Sequence, residues 1–391
     1  MGLSESLKSA DLIVVGSGFF GATVAERAVS ELGVRVAVIE RRDHIGGNAH
    51  SYVEPTTGIE IHKYGTHIFH TSNAAVWEYA NLFTQFNGYQ HSVVTNHDGR
   101  IFQMPINLGT LCEFYGRSLS PAEARELVKR EADLGGLVPS NFEEKAISLI
   151  GRPLYEALIR GYTEKQWQTN PAELSAEIIS RLPVRYTFDN RYFSDTWQGM
   201  PVDGYAAWIK RMFSDDRISM HLGTDFQDIH SELRNGQVIV YTGPIDRYFG
   251  YRYGQLSWRT LDFETEIIDI PDFQGTSVMN FADVEVPFTR IHEFKHLHPE
   301  REVSPDRTVI MKEYSRFAKR NDEPYYPVNS DQDRATLRQL RDAAKAEKNV
   351  IFGGRLGSYQ YLDMHMAIGS ALSTFRNEIA PLLTEKLGEA N

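Results

Sequence analysis

A single cysteine, Cys112, in 391 residues excludes an intrachain disulfide and any cysteine-built metal centre, and it fits a reducing compartment. Long apolar runs are missing too. The first, Leu12 to Val15, falls far short of the ~18 residues of a membrane span and lacks the flanks of a secretory leader. The expectation is a cytoplasmic chain with no membrane insertion. Positive charge is also scarce: 41 Lys and Arg stand against 52 Asp and Glu, for a formal net charge of −11. Release of counterions from nucleic acid needs clustered cations, so no nucleic-acid partner is expected. Internal repeats, low-complexity tracts and an evident Ser/His/Asp nucleophile are absent as well.

What is present is 41% hydrophobic residues, enough to bury a large core in two or three domains of ~100–200 residues. Asp11 to Glu40 reads as strand, glycine turn, helix and strand, a βαβ unit. From Trp77 to about Arg181 the spacing turns helical, with Ser120 before Pro121 and Asn141 before Phe142 as helix starts. From Tyr186 to Tyr314, β-branched and aromatic runs such as VIVYTG, WRTLDFETEII and TVIMKEYSRF read as strands, interrupted by helical spacing at Tyr205 to Phe213. The end alternates again: a helix around Asp331 to Lys348, a strand Asn349 to Phe352, a glycine turn, and a helix from about Met364. The expected class is α/β: a discontinuous Rossmann-like domain (1–82, 201–244 and 340–391), a helical insertion domain (83–182) and an antiparallel or mixed β-sheet domain (183–200 and 245–339).

Gly16, Gly18 and Gly21 occupy the G-x-G-x-x-G positions between a buried strand and a helix. In that place the first makes the tight turn, the second admits a pyrophosphate to the backbone, and the third lets helix and sheet approach. Glu40, 19 residues after Gly21, stands where a carboxylate accepts from a ribose diol. This geometry serves NAD and FAD alike. The following run, Arg41-Arg42-Asp43-His44-Ile45-Gly46-Gly47-Asn48, resembles the signature of the large FAD family that includes amine oxidases. Gly353-Gly354-Arg355-Leu356-Gly357 is a second strand-to-helix turn with free amides to offer an anionic or carbonyl-bearing ring.

The stretches HKYGTHIFHT (62–71), GYTEKQW (161–167), RLPVRY (181–186), RTLDFE (259–264), VPFTRIHE (286–293), EPYYPV (323–328) and GGRLGSYQYLDMH (353–365) resemble, in order and across nearly the whole chain, those of bacterial UDP-galactopyranose mutases. The resemblance implies FAD, active in its reduced form, held by Gly16, Gly18, Phe19, Gly21, Glu40, Arg41, Gly47, Asn48, His67, Arg355, Tyr361, Asp363 and Met364. It implies UDP-galactose and UDP as ligands of Tyr162, Thr163, Trp167, Arg181, Tyr192, Asn280, Arg290, Tyr326 and Tyr361. In that assignment Tyr162 stacks on uracil, Arg181 on a closing loop and Arg290 hold the pyrophosphate, and His70 lies against the flavin. Arg181, Arg290 and His70 form the catalytic set, and a homodimer is expected. The implied chemistry is attack of reduced flavin N5 on the anomeric carbon, release of UDP, a flavin iminium, and ring opening and reclosure.

Read without the resemblance, the same residues leave other options. An arbitrary Arg is most often a surface ion-pair partner, and an arbitrary Tyr is most often half-buried packing. His62, His67 and His70 lie close in sequence, but no neighbouring ligand completes a metal-site spacing, so no metal is expected. Asp363 is expected to cap the final helix or to orient Arg355. A flavin amine oxidase and a non-catalytic redox sensor share the fold as alternatives, and neither requires the two arginine motifs.

Overall fold

The computed structural model describes residues 2–390 other than 133, 137, 180–183 and 235. The strand Leu12–Val15 feeds the helix Phe19–Leu32, which returns the chain to the strand Val36–Ile39, parallel to the first. Every residue of both strands is buried, as a parallel sheet covered on both faces requires. Their two-residue period appears in direction instead. Leu12, Val14, Val36 and Val38 pack with Phe20, Val24 and Phe375, whereas Ile13, Val15, Ala37 and Ile39 meet Leu7, Phe226 and Ile229 on the other face. The strands Val350–Phe352, Val238–Tyr241 and Ile218–His221 complete a five-stranded parallel sheet, the first two on one side of Leu12–Val15 and the third beyond Val36–Ile39. This Rossmann-like unit is gathered from separated stretches of chain, and the α/β class agrees with the sequence reading.

A seven-stranded sheet runs in the order Tyr326–Pro327, Trp258–Ile268, Thr308–Phe317, Arg290–Glu293, Val278–Phe281, Val93–His97, Arg100–Met104. All neighbours are antiparallel except Val278–Phe281 with Val93–His97. Helices Leu108–Tyr115, Pro121–Glu131, Phe142–Ile150 and Gly161–Trp167 build the third unit. Its own core includes Phe102, Leu111, Leu127, Ile147 and Tyr155. Ser120 and Asn141 cap as expected, each side chain accepting from the backbone amide three residues on. Among the described residues no helix is long and apolar enough to cross a membrane.

One boundary differs. The sequence reading assigns 83–182 to the helical domain, yet Val93–His97 and Arg100–Met104 form the edge of the large sheet. They are joined by Asp98 and Gly99, both at positive φ (50° and 73°), a two-residue hairpin turn whose twist matches its strands. The helical unit therefore starts near 108. Within the expected sheet segment 183–200, Trp197–Gly199 pairs with Phe69–Thr71 in a separate two-stranded ribbon, not with the large sheet.

Candidate active site

A cavity of about 1200 Å³ runs between the two sheets. That exceeds the ~300–1,000 Å³ usual for one drug-sized ligand. Its lining takes in the glycine turn at Gly16, Gly18, Phe19 and Gly21, then Glu40, Arg41, Gly47, Asn48 and His67. Beyond these come His70, Arg355, Tyr361, Asp363 and Met364, and finally Tyr162, Thr163, Trp167, Tyr192, Asn280, Arg290 and Tyr326. One structure thus brings together every candidate residue except Arg181, which lies outside the described residues.

The glycine end is shaped to receive a diphosphate. Gly16 turns at φ +104°, where a Cβ would stand 2.0 Å from Thr242 Oγ1. Gly47, at φ +56°, faces Gly18 so closely that a Cβ would lie 3.2 Å from the Gly18 Cα. Gly18 sits at the N-cap of the 14-residue helix without side-chain capping, leaving amides and the positive end of the helix dipole for an anion. Glu40 also braces the turn from within. Its Oε2 accepts from the Ser17 amide and hydroxyl at 2.9 and 2.7 Å, and its Oε1 from the Arg42 amide at 2.9 Å. The remaining lone pairs of the carboxylate line the cavity. Glu323 gathers Arg41 and Arg42, and Arg42 also donates to Asn48 Oδ1 at 2.8 Å.

Arg355 has no carboxylate partner among the described residues. Its guanidinium donates to the Tyr325 carbonyl and is pushed down to about 10, first by burial and then by Arg42. A buried cation lacking a carboxylate is costly, so the position suits an occupant with electron-rich oxygens, such as the carbonyl edge of a flavin. Together with the glycine cradle, this donor set fits FAD. Asp363 does not act on Arg355. Nor does its side chain cap the helix Met364–Thr374: its Oδ1 accepts from Tyr361 OH at 2.8 Å instead.

At the far end, Arg290 is fixed from behind. Its Nε lies 3.3 Å from Glu313 Oε1, and its NH2 donates to Tyr162 OH. Glu313 is 3% exposed and also meets His292 Nε2 at 3.1 Å and Thr289 Oγ1 at 3.2 Å. Burial raises its carboxyl, but Arg290, followed by His292 and Thr289, overrides this and holds it at about 2. Tyr162 is pushed up to about 12, chiefly by burial, so its hydroxyl stays protonated. Asn280 Oδ1 is buried without a partner. Tyr326 and Tyr361 stack at 5.9 Å, while Tyr192 and Tyr361 are 47% and 54% exposed, so that each offers an aromatic face and a polar tip along the cavity. Lys165 donates to the carbonyls of Phe281, Val286 and Phe288 at 2.8 to 3.0 Å, tying the helix Gly161–Trp167 to the turn between Asn280 and Arg290.

The histidines separate by role. His62 Nδ1 is buried as the acceptor of the His67 amide at 3.0 Å, and His67 Nδ1 meets the Gly65 carbonyl at 2.7 Å, so the three rings do not converge. His70 stacks on Phe193 with ring centroids 3.7 Å apart and contacts Asp195. Sequence reading misses Glu313, Lys165 and Asp195. For Glu313 a signal exists: it shares the inward face of Thr308–Phe317 with buried Val309 and Met311, and an acid at such a position needs a partner.

A family model described as UDP-galactopyranose mutase matches residues 157–361, and one described as an NAD(P)-binding Rossmann-like domain matches 14–83. Among full-length relatives, a probable UDP-galactopyranose mutase from Klebsiella pneumoniae is 42% identical over 94% of both chains. A dTDP-fucopyranose mutase from Escherichia coli is 38% identical over 92% of this chain and 96% of its own. Among solved structures, a reduced UDP-galactopyranose mutase superposes with a TM-score of 0.69 at 14% identity, covering 95% of this chain and 94% of the other. Putrescine oxidase bound to putrescine follows with a TM-score of 0.55 at 14% identity, over 95% and 99%. At such identities the structural likeness speaks for the fold alone.

Proposed function

The chain belongs to the UDP-galactopyranose mutase family, and on that premise we propose that it interconverts UDP-galactopyranose and UDP-galactofuranose on a bound, reduced FAD. The observation that carries this reading is the Arg290 assembly, a guanidinium braced by Glu313 and Tyr162 at the opposite end of one cavity from the glycine cradle. Ring contraction changes which galactose hydroxyl is joined to the anomeric carbon, so the bond to UDP must break and re-form with no net redox change. Reduced FAD, when bound, supplies the nucleophile, its N5, for the anomeric carbon.

The protein's own residues then manage charge and position. Arg290 meets the diphosphate, whose negative charge grows as UDP departs, and its geometry is set in advance by Glu313. Arg181 is assigned to the same diphosphate. Tyr326 and Tyr361 offer hydroxyls to the phosphates, Tyr192 does so from the mouth, and Tyr162 with Thr163 and Trp167 receives the uridine side. Asn280 presents its unpartnered oxygen to the sugar. Gly18, Gly47 and Arg355 hold the cofactor, and His70 adjoins its ring. A homodimer in the cytoplasm accompanies this reading, the first point being open to sedimentation analysis.

The Escherichia coli relative favours a second reading, in which the nucleotide is dTDP and the sugar lacks O6. One anaerobic assay separates the two. The protein, reduced with dithionite or left oxidised, is given UDP-galactofuranose or dTDP-fucofuranose, and the products are resolved by chromatography. Conversion of the uridine substrate only after reduction is the expected result. Preferential conversion of the thymidine substrate establishes the second reading, and conversion by oxidised enzyme overturns the role given to the flavin.

A further inference from the structure

We infer that Asp195 is a positioning residue that fixes the tautomer and ring orientation of His70, an inference that rests on the mutase reading above. His70 lies in the strand Phe69–Thr71, whose ribbon partner Trp197–Gly199 brings Asp195 back beside it. His70 Nδ1 stands 2.8 Å from Asp195 Oδ2. The other carboxylate oxygen accepts from Ser72 Oγ at 2.9 Å, and Ser72 Oγ itself accepts from the Thr196 amide at 3.1 Å. The ring is clamped in plane by Phe193, at 3.7 Å and 13°. Two independent restraints therefore leave the imidazole one orientation.

The restraint is directional. An ionised carboxylate only accepts hydrogen bonds, so the neutral ring must carry its proton on Nδ1, leaving a lone pair on Nε2. Burial works to raise the Asp195 carboxyl, but the hydrogen bonds from His70 and Ser72 keep it below the ordinary range. Nε2 is 3.9 Å from Asp363 Oδ2, beyond hydrogen-bond reach, and is not consumed by that group. His70, Phe193 and Asp363 line the cavity whereas Asp195 does not. The carboxylate thus stands behind the ring and leaves Nε2 as an acceptor on the side where Asp363 and the edge-on ring of His365 lie. This is the logic by which a buried Asp orients a histidine in hydrolase triads.

Nitrogen-15 NMR of histidine-labelled, FAD-loaded protein reads the tautomer directly, with the His70 signals assigned from Asp195-intact His70→Gln protein. The wild type should show His70 protonated on Nδ1 and bare on Nε2. Asp195→Ala should move the proton to Nε2 and lower kcat about 10–100-fold, with KM for the sugar nucleotide and FAD content unchanged. Should that variant fail to fold, near-isosteric Asp195→Asn is expected to lower kcat at least about tenfold on the same grounds. A wild-type ring protonated on Nε2, or an Asp195 variant with unaltered tautomer or undiminished kcat, overturns the assignment. Failure of the mutase reading shows itself separately, as wild-type protein that converts no sugar nucleotide while the NMR signals still report on the pair.

Discussion

At the scale of single residues, the site turns on how Arg290 is held. Its carboxylate partner Glu313 is buried and kept at about 2, against an ordinary value near ~4.3. A carboxyl depressed in this way stabilises the fold above its unfolded value, and that contribution drains away as pH falls through the folded value. Wild-type stability should therefore lose on the order of 3 kcal/mol between about pH 5 and pH 2 from this group. In Glu313→Gln that component of the acid slope should vanish. At neutral pH the same variant leaves the half-buried Arg290 guanidinium without its counter-charge and should destabilise the fold. Denaturant unfolding across pH checks both. Arg290→Ala removes the group proposed to face the leaving diphosphate, and kcat/KM should fall about 10²–10³-fold, while the flavin absorbance, set at the other end of the cavity, should be unchanged.

At the scale of elements, the helix Gly161–Trp167 and the turn between Asn280 and Arg290 are one device. Lys165 joins them through three backbone carbonyls, and a Cβ on Gly161 would strike the Ala282 carbonyl at 2.2 Å, which shows how closely the two approach. Lys165→Met keeps the length but removes the donors. It should leave three half-buried carbonyls without their donor, destabilising by about 1–3 kcal/mol for each that water does not reach, and should raise KM for the sugar nucleotide more than it lowers kcat. Steady-state kinetics beside thermal unfolding tests that split.

Elements differ in how far the sequence declared them. The glycine turn, the βαβ unit and the helix caps at Ser120 and Asn141 are local signals, each made by a few adjacent residues, and the structure has them where the sequence put them. The strands Val93–His97 and Arg100–Met104 escaped because they are short and one is an edge that buries a single residue, Phe102, so the Asp98-Gly99 turn is the clearer marker. Glu313, Lys165 and Asp195 depend on partners 21 to 125 positions away, from His292 for Glu313 to His70 for Asp195. Pairings of that kind arise from sheet order, which no local pattern states.

At the scale of the whole molecule, the Rossmann-like sheet and the seven-stranded sheet each contribute one end of a single cavity. On the proposed reading, a cofactor on the first faces Arg290, assigned to the diphosphate, on the second. This division of labour explains how a fold shared with a putrescine oxidase can serve a reaction without net oxidation: the cradle is common, while the Arg290 end supplies the difference.

The central claim, that the bond between the anomeric carbon and UDP breaks and re-forms on reduced flavin, is tested most directly by positional isotope exchange. UDP-galactopyranose labelled with oxygen-18 at the bridge between sugar and β-phosphate is incubated anaerobically with the enzyme, and phosphorus-31 NMR follows the label. Scrambling of the label into the non-bridging β-phosphate positions with reduced enzyme, and none with oxidised enzyme, is the predicted result. Conversion to the furanose with the label left wholly in the bridge would contradict it.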